Sequence, residues 1–268
     1  MNIVITGATG FLGKHLVEEL RTKNLKYSIF DRKKHNLLKP DTLADLIKDK
    51  DIIIHLAGIN IGTHHKIMSV NVLGTLMLLE AMVKYAPHSK IIFASTFQVY
   101  LQDSLYGLSK KFAEDIIKYY VSMHKIKASI LRLTNIYGPG CKPFYNSVIA
   151  TFIDEIKHNK PIFIYGDDTR KRDYLYVEDA VDAIVKAVFF DPTGIEYFDI
   201  CSGKLTSVNK IIKILRKIYP YKIKILYNKD VKAYDWGLKR NFRKANKLLK
   251  WKPLIGIEEG LEITIQKK

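Results

Sequence analysis

Runs of Ile, Val, Leu and Phe alternate with amphipathic stretches from the first residues of the chain. Short β-branched runs predict strands near 2–6, 27–31, 51–56, 90–95 and 127–133. Between them, apolar positions recurring every three to four residues predict helices near 11–23, 41–48, 66–86 and 106–124. Strands separated by single helices do not pair as hairpins, so the pattern calls for an α/β fold with a doubly wound parallel sheet. Past the Gly/Pro cluster in NIYGPGCKPF the rhythm loosens: helix 144–158, strand 162–165, helix 177–190, strand 196–200, helix 207–219, strand 222–227 and helix 243–250. These later segments are expected to cover the carboxyl ends of the sheet strands, where ligands bind in such folds. The chain thus divides into residues 1–135 and a smaller C-terminal α/β region, 136–268, with the return of some later segments to the first sheet left open.

Composition adds limits rather than an activity. The 268 residues are 47% hydrophobic and 26% charged, enough for a sizeable core. The opening MNIVITGATG lacks the basic start and long apolar stretch of a secretion signal, and no uninterrupted apolar run reaches bilayer length, so a cytoplasmic protein with no membrane partner is expected. Cys141 and Cys201 stand far apart in no metal or redox spacing, which fits a reducing compartment and predicts no metal site. The net charge of +17 points to nucleic acid until it is mapped, because residues 204–252 alone hold 16 Lys and Arg against 2 Asp. Those cations lie in amphipathic text, VNKIIKILRKIYPYKIKIL, read as a helix and a strand with a solvated outer face. No stacking aromatics form a recognisable module there, so no nucleic-acid partner is expected.

Chemistry first shows in Thr6-Gly7-Ala8-Thr9-Gly10-Phe11-Leu12-Gly13, between the first strand and the first helix. Glycines there allow a tight turn and close approach to a pyrophosphate, while the N–H groups of the helix start attract the anion. The spacing is GxxGxxG rather than the better-known GxGxxG. Asp31, at the predicted end of the second strand, is placed to grip the ribose 2′-hydroxyl of an adenosine. That favours NAD(H), but Arg32 and Lys33 offer cations for the 2′-phosphate of NADP(H), and both cofactors stay open. Ala57 and Gly58 end the third strand, with small side chains where adenine and ribose would pass. His55 reads as a satisfied core histidine, and His64 with His65 as a loop pair rather than a metal site.

A phenol and an ammonium four residues apart, Tyr106 and Lys110, open the predicted helix after IIFASTFQVY and share one of its faces. TGATGFLG, HLAG, NVLGTLMLLEA, FASTFQVY, YGLSK, LRLTNIYGPG and RDYLYVEDAVDAI follow one another in order, and RKANKLLKWKP comes near the end. Together they resemble the extended short-chain dehydrogenase/reductases of the NAD-dependent epimerase/dehydratase family, which act on nucleotide sugars. The resemblance implies a Rossmann-type sheet and a dinucleotide-binding domain over residues 1–135. It implies a nucleotide-diphosphate sugar as substrate and a homodimer joined through helices 66–86 and 106–124. It makes Tyr106 the catalytic acid/base, Lys110 its activator and a ligand of the nicotinamide ribose, and Thr96 the hydroxyl that completes the triad. Gly7, Gly10, Phe11, Leu12, Gly13, Asp31, Arg32, Leu56, Ala57, Gly58, Tyr106 and Lys110 would hold the cofactor. Asn135, Arg172 and Arg240 would meet the diphosphate.

Chemistry supports the Tyr106 role independently. A phenol with a pKa near 10 is a poor base at neutrality, but an ammonium beside it favours phenolate. Two departures narrow the reaction. Where family dehydratases carry an Asp-Glu pair after the Thr, this chain has Phe97 and Gln98, so dehydration is not expected. Only nine residues separate Thr96 from Tyr106, a short connection that resembles the reductase domain of bacterial capsule enzymes making 6-deoxy-talose-type sugars. The leading reading is therefore reduction of a nucleotide-linked 4-keto-6-deoxyhexose. The alternative is a 4-epimerase working by transient oxidation, which RDYLYVEDAVDAI suits at least as well. A catalytically idle dinucleotide-binding module is the third, and the retention of Thr96, Tyr106 and Lys110 argues against it.

Overall fold

The computed structural model describes residues 1–101, 104–124, 126–145, 147–166, 170–219, 223–228 and 237–266. In chain order the elements are β1 (Ile3–Thr6), α1 (Phe11–Thr22), β2 (Tyr27–Ile29), a 3-10 turn (Pro40–Leu43), α2 (Ala44–Ile47), β3 (Ile52–His55) and α3 (His64–Met68). A π turn (Ser69–Leu73) leads into α4 (Gly74–Tyr85), followed by β4 (Lys90–Thr96), a 3-10 turn (Phe97–Tyr100), α5 (Leu105–His124) and β5 (Lys127–Leu133). Then come β6 (Asn135–Tyr137), α6 (Val148–Lys157), β7 (Ile162–Tyr165), β8 (Lys171–Tyr176), α7 (Val177–Phe189) and β9 (Ile195–Ile200). The chain ends with β10 (Leu205–Ser207), α8 (Val208–Ile218), β11 (Ile225–Asn228), α9 (Arg243–Leu249) and α10 (Ile257–Gln266).

Two compact units emerge. The first comprises Met1–Leu133, Val181–Ile200 and Lys244–Trp251. Its sheet has six parallel strands in the order β2-β1-β3-β4-β5-β9. Val4, Ile53, Ile91, Phe93 and Ile130 of the sheet pack against Leu78, Leu79 and Met82 of α4 and Ala113 and Ile117 of α5, all fully buried. This explains why the strand runs are uninterruptedly apolar: a parallel sheet covered on both faces has no polar side. The chain moves from β1 to β2 in one direction and from β2 back across to β3 on the other side. The reversal leaves a crevice outside the carboxyl ends of β1 and β3.

The second unit comprises Thr134–Ala180, Cys201–Arg243 and Lys252–Lys268. It holds a three-stranded sheet, β10-β8-β6, and a parallel pair, β11-β7. Its helix α8 turns Ile211, Ile212, Ile214 and Leu215 inward and Lys213, Arg216 and Lys217 to solvent. Lys210 pairs with Glu258 of α10 at 2.9 Å. The cations of the basic segment on this helix are thus a solvated face, as its period predicts.

Several predicted boundaries need correction. The helix predicted over 144–158 starts at Val148, because Ser147 caps it by accepting the amide of Ala150 at 3.2 Å while Phe144 has φ of +56°. Residues 146 and 222, inside that predicted helix and the predicted strand 222–227, lie outside the described residues. β2 stops at Ile29, so Asp31 sits past the strand rather than at its end. His64 and His65 open α3 and are exposed there, rather than lying in a loop. Strands β6, β8 and β10 and helix α10 are absent from the sequence reading. The three strands are short, lie beside turn residues or charges, and owe their pairing to distant partners. The continuous helix His64–Tyr85 is long and apolar enough, by length and composition alone, to cross a membrane, although its apolar positions do not form one unbroken run. In this fold its polar Asn71 and Thr75 are buried and hydrogen-bonded within the first unit.

Candidate active site

The glycine turn follows β1 directly. Gly7 has φ of +78°, and a Cβ added there would lie 2.6 Å from the amide nitrogen of Ala57. A Cβ on Gly13 would lie 2.2 Å from the carbonyl oxygen of Gly7. Only glycine lets the turn fold this closely onto both the helix and the end of β3. Gly10 is the N-cap of α1 and supplies no side-chain cap, and the first amide bonded back along the helix is that of Lys14, to Gly10. Phe11, Leu12 and Gly13 therefore form a helix start whose amides lack intrahelical acceptors, which fits a pyrophosphate. Leu56, Ala57 and Gly58 lie beside it, with the Ala57 amide donating to Thr6 Oγ1 at 3.3 Å.

Asp31 sits in a tight turn. Its Oδ1 accepts the amide of Lys33 at 2.9 Å, and its own amide donates to His35 Nδ1 at 3.0 Å. Arg32 and Lys33 are exposed. The acid is thus held by its own loop beyond β2, with the two cations pointing to water.

Thr96 ends β4, is 9% exposed and caps the 97–100 turn by accepting the amide of Gln98 at 3.3 Å. Phe97 is buried, and Gln98 Oε1 accepts the hydroxyl of Ser104 at 2.6 Å. Ser104 Oγ also accepts the amide of Gly107 at 3.0 Å, so the short connection fastens the first turn of α5 to the residues after Thr96. Neither position that follows Thr96 carries an acid.

Tyr106 and Lys110 lie in the first turns of α5 as predicted. Lys110 is 3% exposed, with Nζ 4.1 Å from the centre of the Phe93 ring. Burial pulls its pKa down to about 7, and the charge of Glu114 works against that pull. The ammonium is therefore not a fixed charge at neutrality. Behind it, His55 is fully buried, shares hydrogen bonds with Thr6 Oγ1 (2.6 Å) and Thr75 Oγ1 (3.1 Å), and is held neutral, its pKa lowered to about 3 by burial first and by Lys110 second. It is the satisfied core histidine expected.

Asn71, which sequence reasoning missed, connects these parts. It is 1% exposed and lies in the π turn before α4. Its Oδ1 accepts the amide of Ile59 at 2.9 Å, and its Nδ2 donates to the Ile59 carbonyl at 2.8 Å and to Ser109 Oγ at 2.9 Å. Ser109 donates in turn to the carbonyl of Tyr106 at 2.8 Å. One available signal was an amide inside the apolar run SVNVLGTLMLL, because a buried Asn needs partners.

In the second unit, Asn135 donates from Nδ2 to the carbonyl of Asp173 at 2.9 Å, and Thr134 Oγ1 donates to the same carbonyl at 2.8 Å. The buried Asp173 carboxylate accepts the amides of Ser202 (2.9 Å) and Gly203 (2.8 Å). Arg172, its neighbour on β8, is half-buried, as is Arg240 in the segment before α9. Among the described residues no group of three His, Cys, Asp or Glu side chains is placed to hold a metal.

A doubly wound sheet with a glycine turn at its switch point and a Tyr-Lys helix beside it defines a dinucleotide-dependent enzyme. The profile of the NAD dependent epimerase/dehydratase family matches residues 3–197, and the chain belongs to that family. It is 31% identical to a putative UDP-glucose 4-epimerase of Methanocaldococcus jannaschii over 97% of this chain and 96% of that one. Its fold is similar to that of a UDP-glucose 4-epimerase of Thermotoga maritima solved with UDP-glucose, with a TM-score of 0.88, 26% identity and coverage of 100% and 98%. It is also similar to a UDP-glucuronic acid 4-epimerase of Bacillus cereus solved with UDP-glucuronic acid and NAD, with a TM-score of 0.86, 25% identity and the same coverage.

Proposed function

We propose that this protein is an NAD-dependent 4-epimerase of a nucleotide-linked sugar, with UDP-hexoses or UDP-hexuronates as the substrate class. The observation that carries the reading is Lys110, buried one turn beyond Tyr106 on a helix fastened to the turn that Thr96 caps. The relatives, among them UDP-sugar 4-epimerases, favour this over reduction of a 4-keto-6-deoxysugar, the leading expectation from the sequence.

Gly7, Gly10, Phe11, Leu12, Gly13, Asp31, Arg32, Leu56, Ala57 and Gly58 would hold NAD, which would supply reversible hydride acceptance for the sugar carbon. Tyr106 would accept the proton of the sugar hydroxyl and give it back, Thr96 would hydrogen-bond the same oxygen, and Lys110 would favour the phenolate. Asn135, Arg172 and Arg240 are proposed contacts of the diphosphate, where a guanidinium fork suits two phosphate oxygens. Cys141 and Cys201, neither of them in a disulfide, support a reducing, cytoplasmic setting.

Incubating the protein with UDP-glucose or UDP-glucuronate, without added cofactor, and resolving the C4 epimers by NMR tests the reading. Epimer formation is expected. Net consumption of NAD(P)H with a 4-keto substrate, and no epimerisation, would restore the reductase.

We also infer a homodimer through α4 and α5. Leu73 of the π turn that leads into α4 and Phe112, Tyr119 and Met123 of α5 are exposed, and Val72, Leu76, Phe112, Asp115, Ile116, Tyr119 and Tyr120 line a groove of about 630 Å³. Such an apolar face on a folded protein calls for a partner. A monomer in sedimentation at micromolar concentration would refute it.

A further inference from the structure

One turn beyond Lys110 on α5 lies a charged group with no place in the reaction so far. Glu114 is 1% exposed, and its carboxylate is fully engaged. Ser95 Oγ donates to Oε1 at 2.5 Å, Arg132 Nε donates to Oε1 at 3.0 Å, and Arg132 Nη2 donates to Oε2 at 2.6 Å. Arg132 comes from β5 and is held between the rings of Tyr100 and Tyr197, its guanidinium carbon 4.7 Å from each centre. Its Nη1 donates to the Tyr100 hydroxyl at 2.7 Å, and that hydroxyl donates to Asp199 Oδ1 of β9 at 2.7 Å.

Stability alone is a poor reason for this arrangement, because apolar side chains of similar volume serve a core as well as or better than a buried ion pair. Location supplies a better one. Ser95 immediately precedes Thr96, Tyr100 closes the turn that Thr96 caps, and Glu114 is four residues from Lys110 on the same helix. The network thus binds the strand end carrying Thr96 to the helix carrying Tyr106 and Lys110. Lys110 is packed by the Phe93 ring from β4, His55 of β3 is kept uncharged by burial first and by Lys110 second, and Tyr106 precedes it on α5. Against these, Glu114 brings negative charge from the next turn of the same helix, where it is paired with Arg132.

We propose that Glu114, anchored by Arg132 and Ser95, is a positioning residue that supplies the negative charge behind Lys110 and fixes the Thr96 strand end against the Tyr106 helix. The role of Lys110 in turnover rests on the epimerase reading, whereas the electrostatic link between Glu114 and Lys110 does not.

The test is a pH titration of protein labelled with [13Cε]lysine, followed by NMR, with the Lys110 signal assigned by its loss in Lys110→Arg. In Glu114→Gln the Lys110 midpoint should fall by about one pH unit or more. The alkaline limb of kcat with UDP-glucose should move down with it, a loss of about tenfold above both midpoints. Because Glu114→Gln leaves Arg132 buried without its anion and threatens folding, Glu114→Gln with Arg132→Met repeats the titration without the lone cation. A smaller fall in the same direction is expected there. A folded variant of either kind that keeps the wild-type midpoint and pH profile overturns the proposal. Wild-type protein that shows no epimerisation, while its Lys110 midpoint still moves in the variants, sinks the epimerase reading and leaves the charge link standing.

Discussion

Asn71 Nδ2 donates to Ser109 Oγ across 38 residues of chain, and through Ser109 it reaches the carbonyl of Tyr106. Asn71→Leu removes this tie and strips the part-buried Ile59 amide and carbonyl of their partner. Each such loss costs about 1–3 kcal/mol. Urea denaturation should show a lower midpoint, and steady-state kinetics a lower kcat, because the helix start that carries Tyr106 is no longer pinned. A variant with wild-type stability and turnover would show that the amide is dispensable.

Tyr106→Phe removes one oxygen and leaves the helix intact. Turnover should fall by about 10²–10⁴-fold, the usual worth of a positioned proton-transfer group, while NAD binding measured by calorimetry stays near wild type. Lys110→Met should instead weaken both, since it loses a charge and a proposed ribose contact together. Equal NAD affinity in wild type and Lys110→Met would remove the second role.

Asp31 is already held by its own turn, through Lys33 and His35. Asp31→Ala should therefore weaken NAD and raise the relative affinity for NADP, with Arg32 and Lys33 exposed to meet a 2′-phosphate. Competition binding of the two cofactors measures the ratio. A wild-type preference for NADPH would contradict the assignment before any mutation is made.

His55 links pH to stability. Its pKa is about 3 in the fold, below the ordinary value of 6.5, so between those values the unfolded chain binds a proton that the folded chain refuses. The contribution is present above pH 6.5 and is lost as pH falls toward 3. Between pH 7 and pH 5 it amounts to about 2 kcal/mol. Guanidinium melts at the two pH values should show that loss in wild type and a smaller loss in His55→Gln, which has no titrating ring.

What was legible in the sequence is local. The GxxGxxG turn requires its glycines wherever the rest of the chain lies, and Tyr106 and Lys110 share a face through helical spacing alone. The strands of the large sheet were legible because burial on both faces leaves long apolar runs. What escaped depends on distant partners. β6 pairs with β8 within NIYGPG and KRDYLY, text that reads as turn and charge. The pairing of Glu114 with Arg132 joins α5 to β5 and leaves no local pattern in the sequence. Asp31 was placed at a strand end because Phe30 continues the apolar run, although pairing stops at Ile29.

The order in which the sheet is assembled has a consequence for how the protein is made. β9, the strand that completes the edge beside β5, is encoded 62 residues after β5 ends, counted from Leu133 to Ile195. A nascent chain that has left the ribosome only as far as the first five strands carries β5 as an open edge, with Ala128, Ile130 and Leu131 lacking their neighbours Ile195, Tyr197 and Phe198. Such an edge is a template for pairing with another chain. A chain stopped after β5 would thus carry an unpaired apolar strand at its edge, which the full chain covers with β9.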